Sequence, residues 1–151
     1  MTVHLLFGAV IGKYIESWWL IIILALISHH ILDAIPHYKM TPVPNYKEKG
    51  LKGTKFKDIL TRSIEPLFGI ILTLVLIFYN KEKMIPMLVG SFLAWSPDII
   101  NFLGWKYKKW EIIRKLVPYP GHLFYNEAKS KIVGIGISVV ISIVLIILLL
   151  K

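Results

Sequence analysis

Apolar residues in this chain come in long runs, and polar residues come in short blocks between them. Val3 to Ile15 is a short apolar stretch with Gly8 and Gly12 four residues apart. That spacing lets two membrane helices approach closely. At about 1.5 Å per residue the stretch covers only about 20 Å, so it predicts a short or partly inserted helix. Lys13 to Ser17 reads as a tight polar turn. Trp18 to about Ile35 follows as a full span, with Trp18 and Trp19 as interfacial anchors.

Pro36 to Arg62 is polar and basic, and Pro42, Pro44, Gly50 and Gly53 mark it as a loop. Ile64 to Tyr79 predicts the next span, Asn80 to Lys83 a short turn, and Met84 to about Leu103 another span. Trp105 to Lys131 is a second basic segment, rich in aromatics, in which Trp110 to Val117 suits an interfacial helix. Ile132 to Leu150 is a final uncharged span. Runs of roughly 18 or more apolar residues are of membrane length. The expected fold is therefore all-α: a polytopic membrane bundle of about five helices in one domain, 1–151. Its parts are a hairpin at 2–36, a basic loop at 37–62, a second hairpin at 63–104, a basic aromatic loop at 105–131 and a span at 132–150.

Composition sharpens this picture. The chain is 56% apolar, carries a net charge of +9 and has no cysteine. Disulfides, thiolate metal sites and cysteine nucleophiles are excluded, so a metal would have to use His, Asp or Glu. In a membrane protein a basic excess marks cytoplasmic loops and contact with anionic headgroups. Membrane lipid is thus the expected partner, not nucleic acid. Both basic segments are expected on the cytoplasmic side of an inner (cytoplasmic) membrane crossed several times.

With that topology the unusual polar residues gather at one face. His4 opens the first helix there; His29, His30, Asp33 and His37 close the second; Glu65 opens the third; Asp98 lies near the end of the fourth; and His122 sits in the following loop. The stretch Ser28 to His37 holds three of the five histidines. On a helix, His29, Asp33 and His37 share one face at spacings of four, with His30 at its edge. A His and a carboxylate four apart can bind one ion. Ionisable residues in spans are costly and are usually functional. The plainer reading, that these residues cap helix ends and meet headgroups, suits one histidine better than this group. No GxSxG elbow or Walker loop is present.

Thr2-Val3-His4-Leu5-Leu6-Phe7-Gly8 resembles Ser63-Ile64-Glu65-Pro66-Leu67-Phe68-Gly69, with His4 in register with Glu65. Each copy opens a hairpin whose second helix ends in an aspartate, Asp33 or Asp98. A repeat of this kind predicts a site at the interface of its two halves. The metal ligands expected are His4, His29, Asp33, Glu65 and Asp98. His37 and His122 are the candidate catalytic acid/base groups. Zinc is the first expectation for the ion, with manganese and magnesium as alternatives.

These residues carry a resemblance. Thr2-Val3-His4, Gly8, Gly12, then Ser28-His29-x-x-x-Asp33-x-x-Pro36-His37, then Gly90 and Ser96-Pro97-Asp98, resemble the small membrane-bound metal-dependent hydrolases of bacterial and archaeal inner membranes. That family is related more loosely to zinc-dependent phospholipase C. The resemblance covers about the first two thirds of the chain and favours His29 over His30 as ligand. Thr61-Arg62-Ser63-Ile64-Glu65 departs from it, with Glu65 where a histidine is expected. The implied activity is metal-dependent hydrolysis, expected on a phosphoester of a lipid or headgroup. The alternative is a non-catalytic membrane protein with a structural metal cluster or a scaffolding role.

Overall fold

The computed structural model describes residues 1–37, 56–106 and 130–151; at 56–59, 61, 62 and 101–106 only the backbone is described. Every regular element there is helical: α1 (Thr2–Tyr14), α2 (Trp18–Ala34), α3 (Phe56–Tyr79), a 3-10 turn (Lys81–Lys83), α4 (Met84–Lys106) and α5 (Lys131–Leu150). The all-α expectation holds. Among the described residues one helix, α5, is by itself long and apolar enough to cross a membrane, with mean hydropathy 3.2. α3 and α4 meet that test only as a pair bent through 108°, and α2 is a shorter apolar helix.

α1 is the axis of the bundle and touches each of the four other helices among the described residues. Its glycines explain how. A β-carbon at Gly8 would fall on the Gly90 carbonyl and 2.7 Å from the Ser91 Cα; one at Gly12 would fall on the Pro86 carbonyl and 2.6 Å from the Met87 Cα. The α1 and α4 backbones are thus in direct contact, the use that the GxxxG spacing predicts. Ser91 adds an interhelical bond, its hydroxyl donating to the Leu5 carbonyl at 3.0 Å. The pairs 8/90 and 12/86 run in opposite directions, so α1 and α4 are antiparallel.

Two apolar clusters pack around this contact. Leu6, Ala9, Leu76, Ile77, Met87, Leu145 and Leu149 join α1 to α3, α4 and α5. Ile11, Ile21, Ala25 and Ala94 join α1, α2 and α4. The last carbonyls of α5, which have no partner within the helix, are met by three foreign donors. Lys13 Nζ reaches Leu149 O at 2.8 Å, Tyr14 Oη reaches Leu148 O at 2.7 Å, and Asn80 Nδ2 reaches Leu149 O at 2.9 Å. A lysine cation there also complements the negative end of the helix dipole. Docking at this end makes α5 parallel to α1.

α3 differs from its expected limits. It begins at Phe56, seven residues before the hairpin boundary expected at 63. Pro66, next to the Glu65 that was expected to open this helix, lies inside it. No glycine or proline separates Phe56 from Pro66, so nothing local ends the helix before its apolar part begins.

Candidate metal centre

The end of the bundle opposite Lys13 and Asn80 holds His4, His29, Asp33 and Asp98. α1 delivers His4 from its first turn, α2 delivers His29 and Asp33 one turn apart, and α4 delivers Asp98. One ligand atom from each of His4, His29 and Asp98 lies within 4.8 Å of the others, a group that could hold a metal ion. Asp33 sits between the two imidazoles. Its Oδ1 is 3.4 Å from His4 Nε2, and its Oδ2 is 3.4 Å from His29 Nε2. His29 Nε2 is also 3.9 Å from Asp98 Oδ1. The two imidazoles stack with centroids 4.5 Å apart.

The hydrogen bonding of His29 identifies what these distances mean. Its Nδ1 lies 2.9 Å from the Ala94 carbonyl, which can only accept, so Nδ1 carries the proton. In the neutral ring Nε2 then presents a lone pair. That atom is buried, has no hydrogen-bond partner, and faces two carboxylates. A proton on Nε2 directed at Asp33, or a bound cation, would each make this contact favourable. Donors arranged tetrahedrally at metal–ligand bonds of 2.0–2.1 Å lie about 3.4 Å apart; the two Asp33 separations equal this, and His29 Nε2 to Asp98 Oδ1 at 3.9 Å is wider. An imidazole held by a backbone carbonyl through its second nitrogen is also the usual outer-sphere arrangement of a metal ligand. The His4–His29–Asp98 group could hold a metal ion.

α4 is locally adapted to this task. Pro97 has no N–H to give the Leu93 carbonyl, and the Ser96 hydroxyl takes that acceptor at 2.8 Å. The disturbance falls one residue from Ala94, whose carbonyl accepts from His29. The Pro97 opening thus does more than expose Asp98. It lies beside the carbonyl that orients a ligand on another helix.

The remaining expected residues fall elsewhere. Glu65 is not among the gathered ligands. Its Oε1 accepts from Thr2 N at 2.9 Å and Thr2 Oγ1 at 2.7 Å, and lies 3.4 Å from the amino terminus. It caps α1 at the positive end of that helix's dipole; the expectation had placed it at the start of its own helix. The two repeat segments do meet, since Gly69 lies against Thr2. His37 stands at the edge of the site, with Nδ1 2.9 Å from the Ile35 carbonyl and Nε2 4.0 Å from Asp33 Oδ1. His30 meets His29 edge-on at 5.5 Å and is outside the group. His122 lies outside the described residues. Ser28 donates to the Ala25 carbonyl of its own helix and does not engage His29. The Ala94 carbonyl was invisible to sequence reading, because backbone groups carry no sequence signal; the proline three residues later was the available clue.

No protein-family model, curated protein or solved structure matches this chain, so the geometry of the site is what a functional reading has to rest on.

Proposed function

We propose that this chain is a multi-span membrane protein that hydrolyses a phosphoester of a lipid or its headgroup, using a divalent cation held by His4, His29, Asp33 and Asp98. The observation that carries the reading is the buried Nε2 of His29, facing two carboxylates at ligand-edge distances. Its side chain is 1% exposed, whereas Asp98 is 42% exposed. A shell that is closed on the histidine side and open at one carboxylate is suited to admitting a substrate; purely structural sites are closed.

The bundle's exterior supports a lipid environment. Ile23, Ile27, Leu67, Ile71, Val75, Ile85, Val140 and Val144 are exposed, while His4, Ser28, His29 and Ser91 are buried. Small residues mediate the tightest helix contact. Tyr14, Trp18, Trp19 and Tyr79 are exposed at the end opposite the cluster, where an aromatic belt belongs. The basic composition of segments 36–62 and 105–131 supports a cytoplasmic orientation for this end of the bundle.

A divalent cation bound here would polarise a phosphoryl oxygen and make a water molecule more acidic. Ala94 fixes the tautomer and direction of His29. Asp33 spans both imidazoles with its two oxygens, so His4 and His29 are set relative to each other. His37 is the group placed to move a proton. Its Nδ1 donates to the Ile35 carbonyl, and its Nε2 lies 4.0 Å from Asp33 Oδ1.

The test is metal analysis of the purified chain, with phosphate release from a panel of phospholipids and headgroup esters, for wild type and Asp33→Ala. The expected result is bound zinc or manganese and turnover, both lost in the variant. Metal without turnover on any ester would reduce the cluster to a structural role, and absence of metal would end the reading altogether.

A further inference from the structure

The helices that carry the cluster's histidines are shorter than the helix beside them. α5 has 20 residues and rises about 30 Å, the thickness of a bilayer's hydrocarbon core. α1 has 13 residues and rises only about 20 Å. On α2 the stretch from Trp18 to Leu32, free of Asp, Glu, Lys and Arg, rises about 22 Å, and Asp33 follows at once. All three helices meet at one level. Lys13 and Tyr14, at the end of α1, bond the last carbonyls of α5, and α2 begins just beyond them at Trp18. At the other end α5 therefore stands about 8 Å above the apolar limit of α2. Tilting α2 would only lower that limit.

The low flank is also the flank of the cluster. Ile31 is exposed and stands two residues from both His29 and Asp33. Asp98, the more open carboxylate, is held level with His29 by their 3.9 Å approach. A bilayer that meets an apolar flank shorter than itself thins beside it at modest cost. The chain also continues from His37 into a basic segment, Lys39 to Arg62, whose composition favours anionic headgroups. We infer that the bundle thins the bilayer beside α2, so that phospholipid phosphates there stand level with the His4–His29–Asp98 cluster and reach it from the side. This rests on the multi-span reading, and its use in catalysis rests on the bound cation. The phosphate that the site receives is then one still attached to a bilayer lipid.

The chain has no cysteine, so a single introduced cysteine can carry a nitroxide. Ile31→Cys on α2 and Ile135→Cys on α5 are matched. The native residues are 57% and 43% exposed, and both lie about 20 Å above the shared level. Each labelled full-length chain is placed in phosphatidylcholine vesicles containing a lipid with a Ni2+ chelate on its headgroup. Power-saturation EPR reads collisions with that lipid, with a soluble Ni2+ chelate and with oxygen. Lipid-borne nickel is expected to relax the Ile31 label several-fold more than the Ile135 label. Ile27→Cys against Val139→Cys repeats the comparison deeper in the bilayer, so the result does not hang on one variant folding. Equal, oxygen-dominated signals overturn the thinning. Relaxation at Ile31 by the soluble chelate alone marks an aqueous cleft and overturns it too. Shielding from all three colliders does the same, by putting protein over α2. Zinc content is read separately on the unlabelled chain: an excess at Ile31 without bound zinc keeps the thinning and ends the cation reading. Free access of soluble nickel to Val140→Cys, midway along α5, overturns the multi-span reading and the thinning together.

Discussion

Gly8→Ala adds one methyl group at the tightest point of the bundle. The new β-carbon would fall on the Gly90 carbonyl and sit 2.7 Å from the Ser91 Cα, against an ordinary contact distance of 3.4 Å or more. Both obstacles are backbone, so no side chain can rotate away; the Ser91 Cα alone requires the helices to separate by about 0.7 Å, and the closer Gly90 carbonyl requires more. Overpacking of this kind costs about 1–3 kcal/mol, and the rigid neighbours put this case at the upper end. Gly136→Ala is the matched control, because a β-carbon there meets nothing within 4 Å. Relief of the glycine penalty in a helix is expected to make that variant neutral or more stable by up to about 1 kcal/mol. Equilibrium unfolding of both variants in the same detergent reads the two signs. Gly8→Ala is also expected to weaken metal binding, since His4 lies one turn from Gly8 and moves with α1. Equal effects of the two alanines would refute the close α1–α4 contact, and with it the way His4 is brought to Asp98.

Four further outcomes follow from named contacts. His29→Gln is expected to lower zinc affinity by at least about 10–100-fold, the cost typical of losing even an outer-sphere partner, whereas His30→Gln leaves it near wild type; metal titration of the two distinguishes them. Glu65→Ala is expected to cost about 0.5–2 kcal/mol through the lost cap on Thr2 with metal stoichiometry unchanged, and a loss of metal would instead make Glu65 a ligand. Lys13→Met removes the charged donor to the α5 carboxyl end and is expected to cost about 2 kcal/mol, seen as earlier proteolysis of α5 in limited digestion. Zinc at about 100 times its dissociation constant is expected to stabilise the fold by about 2.7 kcal/mol, an increment that a chelator removes and that is absent in Asp33→Ala.

Length and periodicity are properties of the chain taken one segment at a time, and they were legible as such. The apolar runs located five helices; Gly8 and Gly12 announced a close contact; and alternating helix directions sufficed to bring His4, His29, Asp33 and Asp98 to one end. The start of α3 was misplaced because Pro66 looks the same in a first turn and in an interior turn; only packing decides which it is. Which residues share an end is set by counting along the chain. Which of them face each other is set by the rotation of each helix about its axis, about 100° per residue, and that depends on contacts between distant segments. The tertiary structure alone therefore turned Glu65 towards Thr2, put Asp33 between two imidazoles, and placed the Ala94 carbonyl against His29. The last of these decided which nitrogen of His29 faces the acidic groups: Nδ1 donates to Ala94, and Nε2 is turned towards Asp33 and Asp98.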